Sequence, residues 1–298
     1  MSYKRGANND PYMVMKIQEY LNVKPVDGVF GKQTEQAVIN YQKDNNLIAD
    51  GIVGRRTLEC MGILESDTHN NVIFTKNVTI NKHYLPEGEY IQEQVPIQNH
   101  YIVLHHTSGW NNPYKVVDDW GRDTRGKIAT EFVIGGIDIT GNDTRYDGEI
   151  VKSFPDGCQG WHIGNSGSAY MNKHSVGIEM CSFGGLDANH RTYTNKLCAI
   201  SQSYDLEEAF RGYKSYHRYS DKQLYSLKNL ILYVGVRDNI DVRNGLIKWI
   251  QKEGRKAFEY HQEAYDGKVQ GLITHANIRK DKSDVFPQKE LIDMLLTI

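Results

Sequence analysis

The chain has 298 residues, 39% hydrophobic and 24% charged, with a formal net charge of −2. That length suits two domains with buried cores, and so small a charge excludes a global basic field for nucleic acid or a polybasic membrane anchor. No apolar run approaches the roughly 18 residues that span a bilayer, and the basic start, Met1 to Met13, has no apolar segment behind it, so neither membrane insertion nor a signal peptide is expected.

Asp10 is a suitable helix N-cap and Pro11 suits the first helical position. Val14, Ile17 and Leu21 then fall on one helical face. Asp27-Gly28-Val29-Phe30-Gly31 returns as Asp50-Gly51-Ile52-Val53-Gly54, 23 residues on, and Thr34 and Thr57 follow at the same offset. Asp-Gly is a turn signal whose glycine permits positive φ, and a fixed period means a repeated structural unit. Thr34 is expected to cap a second helix with Ala37, Val38 and Tyr41 inward, and a short third helix to follow Thr57. Residues 1–62 thus read as a small all-α, three-helix domain. With its paired turns, its threonines and Tyr41-Gln42, the segment from Val14 to Gly62 resembles the peptidoglycan-binding domain 1 family. The resemblance implies a module that holds bacterial peptidoglycan, with Asp27, Gly28, Asp50 and Gly51 forming its turns.

Residues 63–77 read as a linker. The second domain, 78–298, is expected to open with an edge hairpin, Val78-Thr79-Ile80 and Tyr90-Ile91 around the Pro86-Glu87-Gly88 turn. Tyr101-Ile102-Val103-Leu104 is a continuous apolar run, the mark of a strand buried on both faces. Phe132-Val133-Ile134 and Glu149-Ile150-Val151 bracket an Asp147-Gly148 hairpin signal. Val176 to Met180 is a further strand. Ser220 to Gln223 reads as a capping box before a helical stripe of Leu224, Leu227, Ile231 and Val234. Leu272-Ile273-Thr274 is a short strand, and Pro287 starts a terminal helix with Leu291, Ile292 and Leu295 inward. This order predicts an α/β domain, a mixed central sheet flanked by helices.

Chemistry in open α/β sheets collects where strands end. His105 and His106 follow the buried strand, His275 follows the strand 272–274, and Asp284 lies past a loop holding Lys280 and Lys282. Two histidines and a carboxylate form a catalytic zinc set with the fourth position open. Spacing alone leaves this undecided, because the chain has 11 histidines and no H-E-x-x-H. The 4 cysteines, Cys60, Cys158, Cys181 and Cys198, form no C-x-x-C pair and read as small core side chains made in a reducing cytosol.

Four ordered motifs decide the matter: Ile102-Val103-Leu104-His105-His106-Thr107, Gly160-Trp161-His162-Ile163-Gly164, Ser175-Val176-Gly177-Ile178-Glu179, and Thr274-His275 through Lys282-Ser283-Asp284. On these, the segment from about 100 to 298 resembles the type 2 N-acetylmuramoyl-L-alanine amidases, a family shared by phage endolysins, bacterial wall amidases and animal peptidoglycan recognition proteins. The resemblance implies the zinc amidase type 2 fold and cleavage between N-acetylmuramic acid and L-alanine. It implies Zn2+ on His105, His275 and Asp284, with His106 beside the site but not ligating. It further implies Glu179 as the catalytic carboxylate, Lys282 as a positive charge near the metal, and Trp161, His162 and Thr107 as substrate contacts. One departure stands out: Thr130-Glu131 replaces a pair that commonly ends in histidine, which makes Glu131 a second carboxylate candidate. The Tyr-rich insertion at 184–219, with Tyr193, Tyr204, Tyr213, Tyr216 and Tyr219, is open to glycan contact or to plain packing.

A binding module ahead of an amidase, without a secretion signal, resembles a phage endolysin. Such a protein is made in the host cytoplasm and reaches the wall after the membrane is permeabilised. A monomer is expected. The alternative is a non-catalytic peptidoglycan receptor or a virion wall component on the same fold, against which the full ligand set and Glu179 argue. Gly164-Asn165-Ser166-Gly167 lacks the surroundings of a serine nucleophile loop, and Asp138 to Glu149 does not fit the EF-hand register.

Overall fold

The structure, a computed structural model, describes residues 3–7, 9, 11–45, 47–61, 78–95, 97–164 and 169–298. The expected cap Asp10, the linker 63–77 and Asn165–Gly167 of the rejected loop lie outside the described residues. The chain divides into two compact units, Met1–Lys76 and Asn77–Ile298.

The first unit holds helices α1 (Pro11–Tyr20), α2 (Lys32–Asp44) and α3 (Arg55–Cys60). Val14, Ile17, Phe30, Val38, Val53 and Leu58 form its core. The repeat is organised by two buried glutamines. Gln18 Nε2 donates to Asp27 Oδ1 (2.9 Å), the Val29 carbonyl (3.0 Å) and Thr34 Oγ1 (3.3 Å), while its Oε1 accepts from Gly28 N (3.0 Å). Gln42 repeats this on Asp50, Ile52, Thr57 and Gly51 at 2.9–3.2 Å. Gly28 and Gly51 sit at φ of 74° and 72°, where a Cβ is strained. Thr34 therefore lies inside α2 rather than capping it, since Gly31 takes the N-cap position and the Thr34 hydroxyl is buried against Gln18. The Asp27 and Asp50 carboxylates each also accept from the amide two residues on, so the turns consume them.

The second unit is built on a six-stranded mixed sheet. Its strands are β1 (Ile80–Lys82), β3 (Tyr101–His106), β4 (Phe132–Ile134), β5 (Ile150–Lys152), β7 (Ser175–Met180) and β11 (Gly271–Thr274), in the order β1-β5-β4-β7-β3-β11. Strands β4, β7, β3 and β11 run parallel, and β5 turns antiparallel to β4. Because side chains alternate across a strand, Ile102, Leu104, Val176 and Ile178 bury one face under α6 (Asp221–Arg237). Tyr101, Val103 and Ile273 bury the other, with Met171 of α5 (Ala169–Lys173), Ala264 of α8 (Gln262–Tyr265) and Ile278 of α9 (His275–Ile278). The helices α4 (Pro113–Trp120), α7 (Leu246–Glu253) and α10 (Lys289–Leu295) complete the layers. The sequence reading passed over α4, although Asn112 caps it and Pro113 opens it.

Three local readings change. The 78–95 segment is not a hairpin. Its first strand, β1, joins the β5 edge in parallel, whereas β2 (Ile91–Gln92) pairs with β6 (Cys158–Gln159) in another sheet. Ser220 caps α6 by accepting from Gln223 N, but the Gln223 amide does not reciprocate; it donates to the Ile134 and Cys181 carbonyls. The terminal helix begins at Lys289, two residues past Pro287. The insertion forms a separate antiparallel sheet of β8 (Gly185–Leu186), β10 (Tyr213–His217) and β9 (Ser203–Phe210). Tyr216 and Tyr219 stack on Phe286 with centroids 4.3 and 4.7 Å away, so these two pack, while Tyr193 is 73% exposed. All four cysteines are free; Cys181 and Cys198 are buried, but Cys60 is exposed and so is no core side chain.

Candidate metal centre

Strand order assembles the site. β11 pairs with β3 so that Thr274 stands opposite Leu104, which places His275 and His105 side by side just past that rung. On the other side of β3, His105 stands opposite Glu179 of β7. Thr274 and Asn277 form a reciprocal capping box that starts α9 at His275. Asp284 returns to this point through its carbonyl, which accepts from Ala276 N at 2.9 Å.

Three atoms converge there. His105 Nδ1 lies 3.1 Å from His275 Nδ1, and Asp284 Oδ2 lies 3.0 Å from His275 Nδ1 and 3.3 Å from His105 Nδ1. His275 Nε2 faces the Ile163 carbonyl at 3.1 Å. A carbonyl only accepts, so Nε2 carries hydrogen, and in the neutral ring Nδ1 is a lone pair. A single proton serves one edge of this triangle; a cation serves all three. Its sides match the separation of about 3.3 Å between tetrahedral ligands bound at roughly 2.0–2.1 Å. The three residues are buried and are the group among the described residues able to hold a metal ion. Burial above all, with the neighbouring His275 adding to it, drives the His105 pKa down to about 4, so the ring is neutral, as a ligand must be. Burial pushes Asp284 up, but the two histidines outweigh it and hold the carboxyl well below the usual range.

Glu179 is buried beside this triangle. Burial first, and then the charge of Asp284, raises its pKa well above the ordinary glutamate value, while Lys282 pulls it back. Lys282 is also felt by His105. His106 points to the opposite face of β3, where its Nδ1 lies 3.0 Å from the buried Tyr219 hydroxyl. Trp161 is 41% exposed, with its backbone held to Lys127 and Ala129. Two expected substrate contacts are otherwise engaged. The Thr107 hydroxyl bonds the Ser182 carbonyl and accepts from the Ser182 and Gly109 amides. Both ring nitrogens of His162 are taken, Nδ1 by His105 Nε2 at 3.0 Å and Nε2 by Ser175 Oγ at 2.9 Å. Glu131 is engaged with cations and is not part of the triangle. Its carboxylate forms a two-point ion pair with Arg237 (2.5 and 3.0 Å) and meets Lys152 at 3.2 Å. The sequence reading missed Ser175 and Asn172 as partners of the 162–163 segment. The signal was available: Ser175, Gly177 and Glu179 alternate on one face of β7.

Parallel strands that end at a buried His-His-Asp triangle able to hold a metal ion, beside a buried glutamate, define an α/β domain with a candidate metal centre. The family model for N-acetylmuramoyl-L-alanine amidase matches residues 94–285, and that for a peptidoglycan binding domain matches 13–61. The chain belongs to the N-acetylmuramoyl-L-alanine amidase family, and its activity is that of a peptidoglycan amidase. Solved structures similar to it include the amidase LysC from Clostridium intestinale URNW, at 17% identity over 73% of this chain and 97% of that one with a TM-score of 0.35. A mutant endolysin from Bacillus subtilis shares 17% identity over 60% and 88% of the two chains (TM-score 0.34), and a selenomethionine AmpD derivative 15% over 72% and 93% (TM-score 0.38). No curated protein matches the chain.

Proposed function

We propose that the chain is a zinc-dependent N-acetylmuramoyl-L-alanine amidase acting as a phage endolysin, with His105, His275 and Asp284 as the metal ligands. The carrying observation is the convergence of three buried acceptor atoms within 3.3 Å of one another at the strand ends. The donor set of two imidazoles and one carboxylate is that of a catalytic zinc site, whose ion, when bound, would polarise a carbonyl and lower the pKa of water toward roughly 7. Glu179 accepts the proton of the attacking water on its carboxylate and delivers it to the leaving nitrogen as the C–N bond breaks. Lys282 offsets the negative charge that grows on the carbonyl oxygen. The exposed Trp161 ring contacts the substrate. The N-terminal module holds the enzyme on peptidoglycan. A wall binder ahead of an amidase supports a lytic role, with synthesis in the host cytoplasm and access to the wall once the membrane is opened. No helix among the described residues is long and apolar enough to cross a membrane.

Mass spectrometry of digested peptidoglycan tests the bond: free stem peptides with new L-alanine amino termini are expected, on intact glycan. New reducing sugar ends would refute it. Elemental analysis should find zinc, and His105→Ala, His275→Ala and Asp284→Ala should each lose metal and turnover, whereas His106→Ala keeps metal. Full zinc occupancy in the Asp284 variant would remove that residue from the ligand set.

A further inference from the structure

Trp161 and His162 were expected to contact substrate, yet His162 and the Ile163 carbonyl turn inward. We infer that His162 and the Ile163 carbonyl are the positioning element of the metal centre, fixing which nitrogen of each histidine ligand is free for the ion. This rests on the reading of His105, His275 and Asp284 as ligands.

The assignment follows from hydrogen-bond direction. Ser175 Oγ lies 2.5 Å from the Met171 carbonyl, which only accepts, so the serine hydroxyl donates there. Its oxygen then accepts from His162 Nε2 at 2.9 Å. A neutral imidazole has one donor and one acceptor, so His162 Nδ1 accepts, and the donor it faces at 3.0 Å is His105 Nε2. That leaves His105 Nδ1 as a lone pair, directed at His275 and Asp284. The reverse order would set Ser175 Oγ and the Met171 carbonyl face to face as two acceptors. It would also put hydrogen on His105 Nδ1, in the middle of the triangle.

The next residue does the same for the other ligand. The Ile163 carbonyl accepts from His275 Nε2 at 3.1 Å, and Arg279 Nη1 donates to it at 3.2 Å. The segment itself is pinned. The side chain of Asn172, 1% exposed, accepts from the amides of His162 (3.1 Å) and Ile163 (2.9 Å). Gly177 leaves the ring its room, for a Cβ there would stand 3.0 Å from His162 Nδ1. Two consecutive residues on one anchored segment thus orient both imidazoles, and outer partners of this kind set ligand tautomer and basicity.

The test uses the full chain and competition with a chromophoric chelator for Zn2+ and Co2+. His162→Ala should weaken metal binding about 10- to 100-fold while the melting temperature of the metal-free protein holds. His162→Asn, whose Oδ1 can accept near the Nδ1 position, should recover most of the affinity. Ser175→Ala should fall between them and shift the Co2+ absorption bands. Nitrogen-15 NMR of the zinc-loaded wild type should show both His105 and His162 protonated on Nε2; this reading stands even where a variant fails to fold. Wild-type metal affinity in His162→Ala and Ser175→Ala, with only KM for muropeptides raised, would overturn the inference in favour of a substrate contact. So would protonation of His162 on Nδ1. A wild type that binds no metal sinks the ligand assignment itself, a separate failure.

Discussion

At the scale of single residues, burial sorts the carboxylates into different work. Glu179 is enclosed, and burial with the charge of Asp284 outweighs Lys282, so its carboxyl is raised and suited to exchange protons. Glu131 is tied by ion pairs to Arg237 and Lys152, away from the triangle. Glu179→Gln should therefore keep its metal while kcat falls by roughly two to four orders of magnitude. The acid limb of the pH–rate profile should vanish with it. As pH falls through the Glu179 pKa the carboxylate gains a proton and can no longer accept one from water, so in the wild type the rate declines on the acid side. Glu131→Gln should leave kcat near the wild-type value and instead destabilise the fold by about 1–3 kcal/mol, because Arg237 and Lys152 each lose one of their two carboxylate partners, keeping only Asp238 and Asp156. Kinetics with metal content checked, beside urea unfolding, separates the two; a dead Glu131→Gln enzyme with an active Glu179→Gln one would reverse the assignment.

At the scale of elements, β7 shows how one strand carries the site. Its face toward the His105–His275–Asp284 triangle reads Ser175, Gly177, Glu179: a hydrogen-bond partner for His162, an empty place for that ring, and the proposed acid–base group. Gly177→Ala adds a methyl 2.7 Å from Thr130 Cγ2 and 3.0 Å from His162 Nδ1. Something must shift, and the expected cost is about 1–3 kcal/mol of stability together with weaker metal binding as His162 is pushed from His105. A Gly177→Ala protein with unchanged unfolding midpoint and zinc affinity would show that the ring is not wedged there. The same elements explain what could be read in advance. β3, β7 and β11 were legible because a strand buried on both faces leaves an unbroken apolar run, and His105 and His275 stood out because they sit where two of those runs stop. The β1–β2 hairpin was misread because a local turn signal around Pro86 says nothing about which distant strand each arm joins. Thr34 was misread as a cap because its true partner, Gln18, is buried and lies more than a dozen residues away in sequence, as Gln42 does from Thr57. His162 was read as a substrate contact because sequence cannot show that both its nitrogens are already engaged.

For the whole molecule, the buried histidines set the acid response. Burial holds His105, His106 and His217 down to about 4, and His162 well below its ordinary value. The unfolded chain binds protons on these rings below about 6.5, the folded chain only at distinctly lower pH, near 4 for His105, His106 and His217. Their contribution to stability is thus complete above about pH 6.5 and is lost as pH falls toward 4. Glu179 and Asp147, raised by burial, act in the opposite sense but are fewer. With chelator present, the urea midpoint of the second unit should drop steadily from pH 7 to about 4.5; a flat profile would contradict the burial argument. The division into two units leads to a separate expectation. Each unit has its own core, Val14, Ile17 and Val38 among the residues of one and Leu104, Ile178 and Leu227 among those of the other. The metal triangle draws all its residues from the second. Removing residues 1–62 should then leave zinc content, folding and turnover of small soluble muropeptides nearly unchanged. Turnover of insoluble peptidoglycan should fall, because the module acts by raising the local concentration of the enzyme at the wall rather than by touching the chemistry. The decisive comparison is the ratio of the two activities before and after truncation. An equal loss on both substrates, or loss of zinc, would mean that the module supports the catalytic unit directly.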